Sequence, residues 1–133
     1  MTPLRTLSMI CVAAFALHFA HAADLSPRTT NASGVGVSVT PKLVAADAPA
    51  WEFGIALNTH SQDLSDDLLK NSVLIDSKGA RHSPVAWEGS PPGGHHRSGV
   101  LRFKGLGAQA DAIELQIRRP NEAVPRSFRW KLK

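Results

Sequence analysis

The chain has 133 residues, 15 Lys and Arg against 11 Asp and Glu for a formal net charge of +4, and one cysteine. That length suits one ordinary domain rather than two, and a single cysteine excludes a disulfide scaffold within the chain. The basic residues are not interleaved with aromatics on a recognisable module, which argues against nucleic-acid binding.

The first stretch, MTPLRTLSMICVAAFALHFAHA, places Arg5 before an apolar run from about Leu7 to Ala20 that closes on Ala20-His21-Ala22. A basic start, a short apolar run and a small-x-small ending predict a cleaved signal peptide over 1–22, hence a periplasmic or secreted protein beginning at Ala23, with no membrane span after cleavage. The run is shorter than the roughly 20 residues a spanning helix needs. Cys11 lies inside it, so any metal bound by the remainder has only His, Asp and Glu to hold it. Residues 23–34, ADLSPRTTNASG, are polar and rich in turn formers and read as a flexible lead-in.

From residue 35 to 133 the pattern is two-fold. Val35, Val37 and Val39 alternate with Gly36, Ser38 and Thr40, and Trp51, Phe53, Ile55 and Leu57 alternate with Glu52, Gly54, Ala56 and Asn58. Each set describes a half-buried strand with one apolar face. SQDLSDDLLKN has Leu64 and Leu68 four apart behind acidic residues and predicts a turn of helix. Residues 72–76 and 81–88 flank Asp76-Ser77-Lys78-Gly79 and predict a hairpin. Gly99 to Phe103, then Ile113, Leu115 and Ile117, then Phe128, Trp130 and Leu132 supply three more strands. About seven short strands with almost no helical periodicity predict an all-β fold, an antiparallel immunoglobulin-like β-sandwich.

The chemistry-bearing residues gather in two loops. In SPPGGHHRSG, residues 90–99, two prolines fix φ and two glycines permit a tight reversal. Such a loop aims His95, His96 and Arg97 in fixed directions, with Trp87 and Glu88 on its shoulder as bracing or partner-binding residues. In THSQDLSDDL, His60 and Asp63 are the second set. Imidazole and carboxylate donors suit copper(II) or zinc(II), so His60, Asp63, His95 and His96 form a candidate metal site if both loops share one end of the sandwich. Arg97 is then expected to pair with an acidic residue and brace the loop. Two facts weigh against the metal: adjacent residues of an extended chain point opposite ways, and the spacing matches no HExxH pattern. Asp63, Asp66 and Asp67 lack the DxDxDG spacing of a calcium loop and fit helix capping better. Enzyme readings are poorly supported, since the chain has neither a GxSxG elbow nor a phosphate-cradling glycine loop.

The run from THSQDLSDDL through WEGSPPGGHHRSGVL to SFRWKL resembles a family of small exported bacterial β-sandwich domains over roughly Val35 to Leu132. The resemblance implies an immunoglobulin-like exported domain in which His60, Asp63, His95, His96 and Arg97 occupy recurring motif positions, and it carries no catalytic or metal assignment. The sequence therefore points to an exported, non-catalytic binding domain, with a metal held by the His/Asp loops. The alternative is a structural or protein-interaction module of the cell envelope, docking through an edge strand or the basic last strand.

Overall fold

Each run of alternating residues forms a strand in the computed structural model, which describes residues 23–133. The expected signal peptide lies outside the described residues. Among the described residues no helix is long and apolar enough to cross a membrane. The strands are β1 (Arg28–Ala32), β2 (Val35–Leu43), β3 (Ala50–Thr59), β4 (Ser72–Asp76), β5 (Arg81–His82), β6 (Ala86–Gly89), β7 (His96–Lys104), β8 (Ala112–Ile117) and β9 (Arg126–Lys131). One turn of helix, α1 (Leu68–Asn71), is capped by Asp67, whose side chain accepts from the Lys70 amide at 3.0 Å.

The strands make two antiparallel sheets, β1-β2-β3-β7-β6 and β5-β4-β8-β9. Their apolar faces share one buried cluster, so the fold is a β-sandwich. Every large residue of the β3 alternation is inward: Trp51, Phe53, Ile55 and Leu57 are buried. They meet Leu101 and Phe103 in their own sheet and Leu74, Leu115, Phe128 and Trp130 opposite. Phe53 sits edge-on to Phe103 at 5.7 Å between ring centroids and 5.9 Å from the ring of Trp130. The buried indoles satisfy their one donor on the chain itself, Trp51 on the Ala45 carbonyl and Trp130 on that of Ser26.

Two expectations are corrected. Residues 28–32 are not a loose lead-in but an edge strand. Ser33 and Gly34, with φ of 50° and 75°, reverse the chain so that Ala32 pairs with Val35 and Thr30 with Val37. Positive φ at both central positions is the twist-matched hairpin turn, and Ser-Gly supplies it. The second correction concerns 81–88, which is two strands. Arg81 and His82 pair with β4, completing the expected hairpin, whereas Ala86–Gly89 pair with β7 in the other sheet. The crossing falls at Ser83-Pro84, and Pro84 has no N–H to continue a ladder. These changes raise the strand count from about seven to nine.

The outer edge at β9 is not bare. The Ser26 carbonyl receives Trp130 Nε1 at 2.8 Å, and Arg28 Nε donates to the Arg129 carbonyl at 3.4 Å, so the N-terminal segment lies along it.

Replacing Phe53 with Ala removes the ring that joins the two sheets and leaves a cavity, which costs about 3–5 kcal/mol for a fully buried aromatic. The midpoint of urea unfolding should fall accordingly at unchanged slope; a loss under about 1 kcal/mol would show that the core closes over the gap.

Candidate functional site

The two loops singled out in the sequence do come together. The Leu64 amide donates to the Gly94 carbonyl at 3.0 Å and the Gly93 amide to the Leu64 carbonyl at 2.8 Å. Asp63 Oδ1 accepts from the Gly94 amide at 2.8 Å, and the His95 carbonyl accepts from the Thr59 amide at 3.0 Å. Gly93 and Gly94 have φ of 115° and 76°, which a side chain would resist. The Pro91–Gly94 loop is thus sewn to the 59–64 segment by main-chain bonds and one carboxylate.

Arg97 lies under this seam. It is inward on β7 and only 3% exposed. Nη1 donates to the carbonyls of Leu64 at 3.2 Å and Asp66 at 2.6 Å, and Nη2 to that of Ser90 at 3.3 Å. The guanidinium carbon stands 5.9 Å from the centre of the Trp87 ring. The expected acidic partner is not there: three carbonyl dipoles and an indole face stabilise the charge, and Nε has no hydrogen-bond partner. Aromatic faces attract cations, most strongly where water is excluded. Trp87 can lie flat here because β6 and β7 face each other through Gly89 and Gly99. A Cβ on Gly99 would stand 2.6 Å from the Gly89 Cα and 2.8 Å from the Trp87 ring edge. Trp87 Nε1 in turn donates to the Ser90 carbonyl at 3.2 Å. Glu88 takes no part in the loop: its carboxylate meets Arg102 at 2.7 Å, and Arg102 also holds Glu52 at 3.1 Å.

The four expected metal ligands are not assembled. Among the described residues no three of His, Cys, Asp and Glu gather as a group able to hold a metal ion. The reasons are local. The Asp63 oxygen is spent on the Gly94 amide, His96 points outward from β7 with Nδ1 2.7 Å from Asn58 Oδ1, and His95 precedes the strand. His60 lines a separate open cleft of about 500 Å³ beside Asn31, Gly36 and Asn58. What the two loops present instead is three exposed imidazoles, His60, His95 and His96, on a fixed backbone.

Sequence reasoning missed the charges beneath. Asp66 is 2%, Arg119 4% and Arg126 5% exposed. Arg119 grips both oxygens of Asp66 at 2.9 and 3.2 Å and reaches Glu122 at 2.8 Å. Glu122 takes two bonds from Arg126, at 2.6 and 2.9 Å, and Arg126 donates onward to Thr30, Ala32 and Val35. A phase signal was available: Arg119 continues the inward series 113, 115, 117, Arg126 begins 126, 128, 130, and Arg97 begins 97, 99, 101, 103.

Removing Arg97 leaves the Asp66 carbonyl without a donor, at about 1–3 kcal/mol for a group left unsatisfied, while the carbonyls of Leu64 and Ser90 keep the Gly93 amide and Trp87 Nε1. Arg97→Ala should therefore lower stability by about 1–3 kcal/mol in chemical unfolding, while His95→Ala should change it by less than about 0.5 kcal/mol. Equal effects of the two would refute the bracing role of Arg97.

Hydrogen bonds from Arg126, opposed by burial and reinforced by Arg119, hold the Glu122 carboxyl below its ordinary 4.5. A carboxyl depressed on folding stabilises the fold fully above its unfolded value and loses that contribution as pH falls through the lower folded one. Stability below about pH 4.5 should accordingly drop more steeply in the parent chain than in Glu122→Gln. Parallel pH profiles would remove Glu122 as the acid-sensitive group.

Compared with known proteins, the chain matches no family model, no curated protein and no solved structure.

Proposed function

We propose that the protein is an exported, non-catalytic interaction module of the bacterial cell envelope, holding a protein partner on the surface formed by the His95-His96 loop and the His60 segment. One observation carries this reading: three exposed imidazoles stand on a backbone locked by Asp63 from the side and by Arg97 from beneath. Side chains on a rigid loop lose little freedom on binding, and imidazoles offer donors, acceptors and a flat apolar face together. Binding residues commonly occupy loops held by a stable scaffold. The leader pattern ending at Ala22 supports export to the periplasm or beyond. The engagement of Asp63 by the Gly94 amide and of His96 by Asn58, with no group of three possible ligands among the described residues, favours this reading over copper(II) or zinc(II) binding.

The test is a photo-crosslinking amino acid placed at His95, at His60 and, as a control on the other sheet, at Arg129, in cells that make the protein. A discrete cross-linked envelope protein from positions 95 and 60, absent from 129, is the expected result. In parallel, copper(II) and zinc(II) are titrated into the purified chain. Saturable metal binding of micromolar affinity that is lost in His95→Ala, with no cross-link at any position, would replace the interaction reading with the metal one.

A further inference from the structure

Six of the fourteen Lys and Arg among the described residues, Arg28, Arg102, Arg119, Arg126, Arg129 and Lys133, face a carboxylate. Three that have no such partner among the described residues, Lys70, Arg81 and Arg118, line one hollow of about 160 Å³ on the outer face of the four-stranded sheet. They arrive from three elements: Lys70 from α1, Arg81 from β5 and Arg118 from the end of β8. The arrangement is built rather than loose. The Arg118 amide donates to the Asn71 carbonyl at 2.9 Å, fastening the end of α1 to the end of β8. Arg81 is set opposite Ile75, and Val73 opposite Gln116 forms the floor between them.

No carboxylate lines the hollow. The next outward residue along β8 is Glu114, already engaged by Gln116, Ser127 and Arg129. Three like charges around one small space repel each other. That cost is relieved by a compact, multiply charged acceptor.

The geometry points to a binding site for a phosphate group among Lys70, Arg81 and Arg118. Two guanidinium forks and an ammonium suit a tetrahedral dianion better than a planar carboxylate, which one arginine satisfies alone. The hollow, about 160 Å³ and open to solvent, has room for a phosphate group. The free ion and a phosphomonoester displayed on a larger envelope molecule offer the same chemistry. The site shares no residue with the histidine loop.

The experiment is calorimetric titration of inorganic phosphate, and separately of glycerol 3-phosphate, into the purified full chain at constant ionic strength. Saturable one-to-one binding is expected, weakened about tenfold or more in Arg118→Gln and in Arg81→Gln, each a loss of about 1.4 kcal/mol. All three cations are exposed, so the variants should unfold at the parent temperature. Lys78→Gln is the control: Lys78 lines a neighbouring hollow that also holds the Asp76 carboxylate, and its loss should leave binding unchanged. Tighter binding of the ester identifies a phosphate group on a larger molecule, and equal or weaker binding identifies the free ion. No saturable binding of either compound, or equal weakening by Lys78→Gln, overturns the site.

Discussion

Charges that leave water must be met within the protein, and one end of this sandwich is organised by that constraint. Arg97, Asp66, Arg119 and Arg126 are all buried there. An unmatched ion in such surroundings costs several kcal/mol, so each fixes the position of whatever meets it. Read across the molecule, they form a chain. Trp87 underlies Arg97, Arg97 holds the Leu64 and Asp66 carbonyls, Asp66 holds Arg119, and Glu122 joins Arg119 to Arg126. Arg126 ends the chain on the β1–β2 hairpin. Segments far apart in sequence are placed by one set of ionic and carbonyl contacts.

Such a chain does not by itself make the fold more stable, since desolvation consumes much of the attraction. Its effect is on geometry. The cluster around Phe53 holds the sheets together without specifying where the loops at their ends should lie, because apolar contact is not directional. Arg97 and Arg119 specify it, because a guanidinium demands acceptors in given directions. The histidine loop and the 59–66 segment consequently form one surface, although neither contains a regular strand for most of its length.

The strands were legible because a half-buried strand writes its face into its own residues. Val35 to Val39, Trp51 to Leu57, Ile113 to Ile117 and Phe128 to Trp130 are inward as their alternation requires. The first strand was not legible, since Thr29, Thr30 and Asn31 form an edge with little apolar content and are held by pairing and by Arg126. The division of 81–88 was hidden for a different reason: Pro84 marks a break, but which sheet receives each half depends on β4 and β7. At the site, the residues of the two loops were found, and their relations were not. Asp63 was read as a metal ligand and is a backbone acceptor, and Arg97 was expected on a carboxylate and lies on carbonyls.

The sequence by itself determined the β class, the inward face of each main strand, and the two loops where polar chemistry concentrates. Only the tertiary structure decided what each polar group meets. Alternation is a local property, set by consecutive residues on one strand. A hydrogen bond from Arg97 to Asp66, or from Arg126 to Thr30, joins residues separated by 31 and 96 positions. Such pairings exist only once the sheets have brought both ends together and closed water out from between them.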